Sequence, residues 1–153
     1  MQSGEIEAVL KFFLNASAED CYELRESVLR PGQPKENWTY DLDYDPKTKH
    51  VAVELDDEII AVASLLPENH DYCPRHPWRL RGMAVKKEMQ GKNIGQKLLN
   101  EIILKVIPDG EGIWCTARKN VQDFYLKNGF EIFGKEFTMN AMPHVYMRRI
   151  DIE

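Results

Sequence analysis

The chain has 153 residues and a net charge of −5, a length that fits one domain and leaves too little for two independent cores. We therefore expect residues 1–153 to form a single domain. No stretch approaches the roughly 18 apolar residues of a membrane helix, and the first residues lack the basic and then apolar order of a secretion signal. These observations predict a cytoplasmic protein with no membrane partner.

The first half of the chain predicts a strand, a helix and a hairpin. Residues 5–13 favour a strand, and Ser17 with Asp20 three residues later is typical of a helix N-terminus. Apolar residues then recur at helical spacing up to Arg30, where a Pro-Gly-Gln-Pro segment ends the helix. Residues 50–55 and 58–66 read as two strands that Asp56 and Asp57 join into a hairpin.

The second half of the chain alternates strands and helices. Strands are predicted at residues 78–85, 112–116, 130–139 and 145–150, and helices at residues 95–106 and 120–128, the second closed by Gly129. Gly82 lies inside the first of these strands, where a bulge or close-approach point and a tolerated packing glycine are both open. The order predicts an α/β fold with a mixed, mostly antiparallel sheet of six to seven strands flanked by helices.

Three cysteines and two nearby histidines raise the question of a metal site. An odd number of cysteines without a CxxC pair argues against a disulfide framework and a zinc ribbon, so we expect reduced thiols at Cys21, Cys73 and Cys115. His70, Cys73 and His76 lie three residues apart, but two prolines place them in a loop and a fourth ligand is missing. We expect a plain surface loop and no metal.

The charge is unevenly distributed along the chain. Residues 1–78 contain 16 acids against 7 lysines and arginines, whereas residues 79–97 contain six basic residues against one acid, a local charge of +5. No aromatic stacking motif runs through this basic patch, so a small polyphosphate ligand suits it better than nucleic acid. The acidic first half hints at a cationic partner, although surface acidity mostly serves solubility.

A glycine-bearing loop leads from the strand at 78–85 into the next helix. The first amide N–H groups of a helix have no carbonyl partners and its dipole is positive there, so an anion is stabilised. Gly91 and Gly95 leave the backbone accessible, while Lys92 and Lys97 add charge. The loop is neither a Walker A loop nor a Rossmann fingerprint, because both glycine patterns differ.

This segment resembles the GNAT superfamily of N-acetyltransferases, whose signature is Gln/Arg-x-x-Gly-x-Gly/Ala after a strand ending hydrophobic-x-Val. Gln90 to Gly95 takes that place, Val85 stands five residues ahead, and Asn93 replaces the middle glycine. The resemblance implies a GNAT-like acyl-CoA N-acyltransferase fold. The cofactor-binding residues that it implies are Met83, Ala84, Val85, Gln90, Gly91, Lys92, Asn93, Ile94, Gly95, Gln96, Asn120 and Tyr125. Backbone groups of Met83 and Val85 would pair with the pantetheine arm.

A second segment, residues 120–130, is similar to the family stretch ending in Phe-Tyr-x-x-x-Gly-Phe. The resemblance implies that Tyr125 is the catalytic general acid, while the alternative is that Tyr125 only packs its helix beside Phe124. Asn120 is either a coenzyme A contact or the helix N-cap, with Asp123 at N3. The family often has its asparagine seven residues before the tyrosine, where this chain has Arg118.

The general base stays open between Glu54, His76, His144 and an ordered water. His144 has a second interpretation, a buried histidine whose ring bonds a loop carbonyl. Arg79 and Arg81 alternate onto one strand face, where they contact an anionic part of coenzyme A or the acceptor, or are simply solvated.

The resemblance implies an acetyl-CoA-dependent N-acetyltransferase. A primary amine of a small molecule or peptide would attack acetyl-CoA directly in a ternary complex, without a metal. Two alternatives stay open, an acyl-CoA-binding or sensing domain without turnover and a nucleotide-binding module using the same loop. A homodimer is possible because sheet edges can pair.

Overall fold

The structure is a computed structural model and describes residues 9–150. The chain divides into two compact units. The first contains residues up to 65 together with 82–106, and the second contains residues 66–81 together with those from 107 onward. The expectation of a single domain therefore stays a prediction.

Within residues 9–150, seven strands form one sheet, and helices flank it. The strands are β1 Lys11–Ala16, β2 Lys49–Leu55, β3 Glu58–Pro67, β4 Trp78–Val85, β5 Ile113–Arg118, β6 Glu131–Met139 and β7 Met142–Arg149. The α-helices are α1 Ala18–Leu24, α2 Ile94–Glu101 and α3 Gln122–Leu126, of which α1 and α2 continue as π-helical turns at Arg25–Leu29 and Ile102–Val106. Short 3-10 turns lie at Lys35–Asn37, Lys87–Met89 and Lys119–Val121. The strand order is β1-β2-β3-β4-β5-β7-β6, which confirms the predicted mixed sheet.

The first helix begins where the sequence predicts. The Ser17 hydroxyl accepts a hydrogen bond from the Asp20 N–H at 3.1 Å, and the Asp20 carboxylate accepts one from the Ser17 N–H at 3.0 Å. This reciprocal capping box satisfies two N–H groups that a helix start leaves without partners. The inner face of α1 buries Cys21 and Leu24 in one apolar cluster with Ala52, which lies on β2.

The strands of the first unit pair as an antiparallel meander. Asp56 and Asp57 both adopt positive φ angles, 52° and 64°, as the two central residues of a tight hairpin turn require. The turn sets the register in which Leu55 faces Glu58, so the predicted hairpin is confirmed. Of the predicted strand at residues 5–13, residues 5–8 lie outside the described residues, and β1 starts only at Lys11.

In the second unit, β4 and β5 pair in parallel while β5, β7 and β6 pair antiparallel. The last strand begins at Met142, three residues earlier than the predicted start. Asn140 and Ala141 both have positive φ and form a two-residue turn between β6 and β7, so Pro143 lies within the strand instead of a loop. Within residues 9–150 no helix is long and apolar enough to cross a bilayer.

Candidate functional site

The loop between β4 and α2 is tied to the strand that precedes it. The Lys86 N–H donates to the Ile60 carbonyl at 2.8 Å, which extends the strand pairing by one residue. The side-chain amide of Gln90 then reaches back and donates to the Val85 carbonyl at 2.9 Å. Gln90 therefore closes the loop on itself, which is a structural reason for a glutamine at this position.

Two residues with left-handed backbone angles direct the chain from the loop into α2. Gly91 has φ 79° with open space around its Cα, and Asn93 has φ 65° at the helix N-cap. The Asn93 carbonyl accepts the first helical hydrogen bond, from the Lys97 N–H at 3.0 Å, but no side chain caps this helix start. Asparagine tolerates left-handed angles better than other non-glycine residues, which explains its presence in place of glycine. The loop therefore presents an uncapped helix N-terminus to an anion.

The basic patch around this loop is partly neutralised. Lys86 forms an ion pair with Glu58, and this hydrogen bond raises the pKa of the Lys86 ammonium. Lys92 and Lys97 are exposed and have no carboxylate partner among residues 9–150. These two lysines provide the free positive charge next to the helix start.

The strand before the loop contains an unusual glycine. Gly82 has φ 67°, and a Cβ at this position would lie 2.9 Å from both the Arg25 Nε and the Tyr40 hydroxyl. An added side chain would force Arg25 or Tyr40 to shift, so the close-approach interpretation of Gly82 is confirmed. The next residues, Met83 and Val85, are half-buried, and Ala84 between them is buried in the apolar cluster of α1.

Tyr125 lies on α3 in the second unit. Its ring packs edge to face against Phe124 at 5.1 Å and against Phe130 at 5.3 Å between ring centroids. Burial raises the pKa of the Tyr125 phenol, and the nearby Cys115 thiol adds to the rise. The phenol keeps its proton at neutral pH, but the raised pKa makes it a weaker acid than an exposed phenol, and the aromatic contacts equally fit a packing role.

Asn120 does not cap the helix that carries Tyr125. It is exposed in the 3-10 turn Lys119–Val121, and the N-cap of α3 is Val121, which makes no side-chain capping bond. The N-cap interpretation of Asn120 is therefore wrong. The 3-10 turn moves the N-cap from residue 120 to Val121, so the α-helix starts at Gln122 instead of residue 120.

The three candidate bases have different surroundings. Glu54 is half-buried and lines a cleft of about 590 Å³ within the first unit, between α1, the β2–β3 hairpin and residues 86–88. His144 is buried, and its Nδ1 donates to the Met142 carbonyl at 2.9 Å, which supports the interpretation as a satisfied buried histidine. His76 is buried with no hydrogen-bond partner for either ring nitrogen in the described part of the chain. Burial lowers the pKa of its imidazole, and two nearby arginines lower it further.

The loop with the two spaced histidines is less exposed than expected. Cys73 and His76 are buried, so the expectation of a plain surface loop is wrong for these two residues. His70 packs edge to face against the rings of Trp114 and Tyr146, at 5.1 Å and 4.7 Å. Among residues 9–150 no group of three or more His, Cys, Asp or Glu side chains could hold a metal ion.

Arg79 is not a solvated strand charge. Its guanidinium lies over the Trp114 ring at 4.8 Å and donates to the Glu68 carboxylate at 3.1 Å, so protein contacts hold it in place. Arg81 is exposed. The two arginines therefore differ in environment, although they alternate onto the same strand face.

The sequence analysis missed a buried ion pair. Arg25 follows α1 on its inner face, has no exposed surface, and pairs with Asp43. The sequence did contain an indication of this burial, because Arg25 lies at helical spacing between Cys21 and Val28, two apolar residues that pack into the core cluster. A charged residue on such a stripe needs a partner, because an unpaired buried charge is costly.

Residues 15–150 match the family model described as the acetyltransferase (GNAT) domain. The chain belongs to the GNAT family of acetyltransferases. It is 32% identical over 134 residues to an uncharacterised N-acetyltransferase, YitI, of Bacillus subtilis, with 86% of this chain and 90% of that protein covered. It is 25% identical over 115 residues to the protein ElaA of Escherichia coli, covering 71% and 72% of the two chains.

Solved structures of other proteins share the fold. The crystal structure of Escherichia coli ElaA superposes with a TM-score of 0.76 at 20% identity, covering 92% of this chain and 99% of that one. The structure of an aminoglycoside 6′-N-acetyltransferase complexed with coenzyme A superposes with a TM-score of 0.66 at 17% identity, covering 92% and 96%. The recognised motif, the fold class and the family membership are therefore consistent with one another.

Proposed function

We propose that this GNAT protein transfers the acetyl group of acetyl-CoA to a primary amine of a small-molecule or peptide acceptor, by direct attack in a ternary complex. The observation that carries the proposal is the geometry of residues 90–95. Two left-handed residues, Gly91 and Asn93, lead into a helix start without a side-chain cap. Such a start binds the pyrophosphate of coenzyme A through backbone N–H groups.

The remaining cofactor contacts follow from the same loop. In the proposal Gln90, Lys92, Ile94, Gly95 and Gln96 complete the phosphate site, where Lys92 contributes charge and the others backbone groups. Along β4, backbone groups of the segment 83–85 pair with the pantetheine arm as an added strand would. On the other motif segment, the exposed side chain of residue 120 contacts the coenzyme.

From an alkylammonium the nitrogen loses two protons, one before it attacks and one as the amide forms, and one proton reaches the sulfur. The amine nitrogen attacks the thioester carbonyl, the carbon–sulfur bond breaks, and Tyr125 donates its phenolic proton to the departing thiolate. An alkylammonium, with a pKa of about 10.4, must lose its first proton to a base before the attack, and the second leaves the nitrogen for the base or solvent as the carbon–sulfur bond breaks. The Nδ1–H of His144 donates to a carbonyl, which leaves the lone pair on its Nε2, so Glu54, His144, His76 and an ordered water all stay candidates for this base.

Coenzyme A titration by calorimetry tests the cofactor part of the proposal. We expect saturable binding of coenzyme A, and thermal stabilisation by coenzyme A that exceeds stabilisation by ATP. The opposite order would favour a nucleotide-binding module. An absence of any association at millimolar coenzyme A would remove the acetyl-CoA assignment.

Turnover is tested separately with acetyl-CoA and a panel of amines. The panel contains polyamines, aminoglycosides, amino acids and peptides with free N-termini, and released coenzyme A is followed as free thiol. We expect acetylation of at least one amine, identified by mass spectrometry of the product. Coenzyme A binding without turnover on the whole panel would favour an acyl-CoA-binding domain.

A further inference from the structure

Arg25 lies at the centre of a closed set of buried hydrogen bonds in the first unit. Its two terminal nitrogens donate to the two carboxylate oxygens of Asp43 at 2.8 Å and 2.9 Å. One of them also donates to the Ser64 hydroxyl at 2.9 Å and the other to the Trp38 carbonyl at 3.2 Å. This two-pronged pairing fixes the plane of the guanidinium as well as its position.

His50 completes this set of hydrogen bonds through contacts with Asp43 and Ser64. Its Nε2 lies 2.9 Å from the Asp43 carbonyl, which can only accept, so Nε2 donates. In the neutral ring Nδ1 then accepts, and the Ser64 hydroxyl donates to it at 2.7 Å. Each of the four residues Arg25, Asp43, Ser64 and His50 is therefore held by two others, and all four are buried.

One donor of Arg25 is left over, and it faces β4. The Nε atom is buried and has no hydrogen-bond partner among the described residues, while the face of the Tyr40 ring lies 4.0 Å from the guanidinium carbon. A Cβ built on Gly82 would lie 2.9 Å from this Nε and 2.9 Å from the Tyr40 hydroxyl. Arg25 and Tyr40 therefore pack directly against Gly82, and a side chain at position 82 would displace one of them.

The contact of Arg25 and Tyr40 with Gly82 affects the backbone of β4. A left-handed residue inside a strand re-aims the peptide groups that follow it, and here those groups belong to Met83 and Val85. We propose that Arg25, held by Asp43 and Ser64, is a positioning residue that fixes Gly82 and so sets these backbone groups for pairing with the acyl-CoA arm. This inference rests on the proposed function.

Two glycine substitutions distinguish the effect of the contact with Arg25 and Tyr40 from the effect of backbone strain. Gly82→Ala and Gly32→Ala both place alanine at a positive φ, 67° and 72°, but only Gly82 has neighbouring atoms within 4 Å of the added Cβ. We expect Gly82→Ala to weaken coenzyme A binding at least tenfold in calorimetry, and Gly32→Ala to change it less than twofold. Equal affinity in the two variants overturns the inference.

A second variant decides the question if Gly82→Ala does not fold. Arg25→Lys keeps a positive charge beside Asp43 but loses the planar group next to Gly82. In wild-type protein we expect the amide resonances of Met83, Val85 and Gly95 all to shift on addition of coenzyme A. At saturating coenzyme A, Arg25→Lys should lose the shifts of Met83 and Val85 and keep that of Gly95.

The outcomes distinguish the two proposals. Unchanged Met83 and Val85 shifts in Arg25→Lys, with normal coenzyme A affinity, overturn the positioning role and leave the acetyltransferase proposal intact. A wild-type protein that does not bind coenzyme A overturns the proposed function itself. A general loss of stability would reduce all three shifts together, and that result also contradicts a specific role for Arg25.

Discussion

The two motif segments of this chain differ in what makes them recognisable. At residues 90–95 the proposed phosphate site depends on the backbone, namely on left-handed angles and an uncapped helix start. The proposed role of Tyr125 depends on one side chain, whose aromatic neighbours Phe124 and Phe130 fit catalysis and packing equally well. Backbone sites follow from local sequence, whereas the role of a side chain depends on residues brought near it by the fold.

The largest effect is expected from closing the backbone site. Gly95→Val puts a β-branched side chain over the first N–H groups of α2, and we expect coenzyme A affinity to fall by about 100-fold or more, roughly 2.8 kcal/mol. Leu104→Val is the control, because it places valine at an exposed position that follows the same helix. Calorimetry on both variants measures the difference. Retained affinity in Gly95→Val would move the phosphate site elsewhere.

The next effect tests the side-chain site. Tyr125→Phe removes the phenolic proton but keeps the ring, so we expect kcat to fall by about 100-fold, the usual size of a general acid effect. Coenzyme A affinity should change less than twofold. Tyr72→Phe removes an exposed hydroxyl in the same unit and serves as the control. Equal rates in Tyr125→Phe and wild type would mean that Tyr125 has only a packing role.

The sequence predicted those features that depend on neighbours along the chain. The capping box at Ser17, the hairpin at Asp56–Asp57 and both ends of β4 are set by local spacing, and the structure has all three. It did not predict the burial of Arg25, because the partner Asp43 is 18 residues away and lies in an irregular segment. Likewise, nothing local to Arg79 indicates the Trp114 ring beneath it.

A smaller effect is expected on stability, and it tests whether His76 has a structural role and no part in the proposed chemistry. Burial lowers the pKa of the His76 imidazole below its ordinary 6.5, so the unfolded chain binds a proton first as the pH falls. The contribution of His76 to stability is therefore complete above about pH 6.5 and is lost as the pH decreases below it. We expect the urea midpoint to fall between pH 7.5 and pH 5, and less so in His76→Leu.

The same variant also has a kinetic readout. If His76 is structural, His76→Leu should keep wild-type kcat at pH 7.5, where both forms of the protein are uncharged at this position. A loss of turnover there without a change in midpoint would instead make His76 the base. Parallel midpoint curves for variant and wild type from pH 7.5 to pH 5 would contradict the pH argument.

The smallest effect is expected at the position where the loop departs from the family pattern. Asn93→Gly restores the usual glycine at φ 65°, and because the asparagine side chain makes no capping bond, we expect coenzyme A affinity to change less than twofold. Asn93→Val is the contrast, since a β-branched residue strongly disfavours this angle. If both variants bind like wild type, the left-handed turn is not part of the site.

The burial of all three cysteines has a practical consequence for assaying this enzyme. Cys21, Cys73 and Cys115 are each 1% exposed or less. Burial raises the pKa of the Cys21 thiol to about 11 and that of the Cys115 thiol to about 12, and it raises the pKa of Cys73 as well. Because the thiolate is the reactive form, a chromogenic disulfide reagent should react slowly with the folded protein and give a low blank.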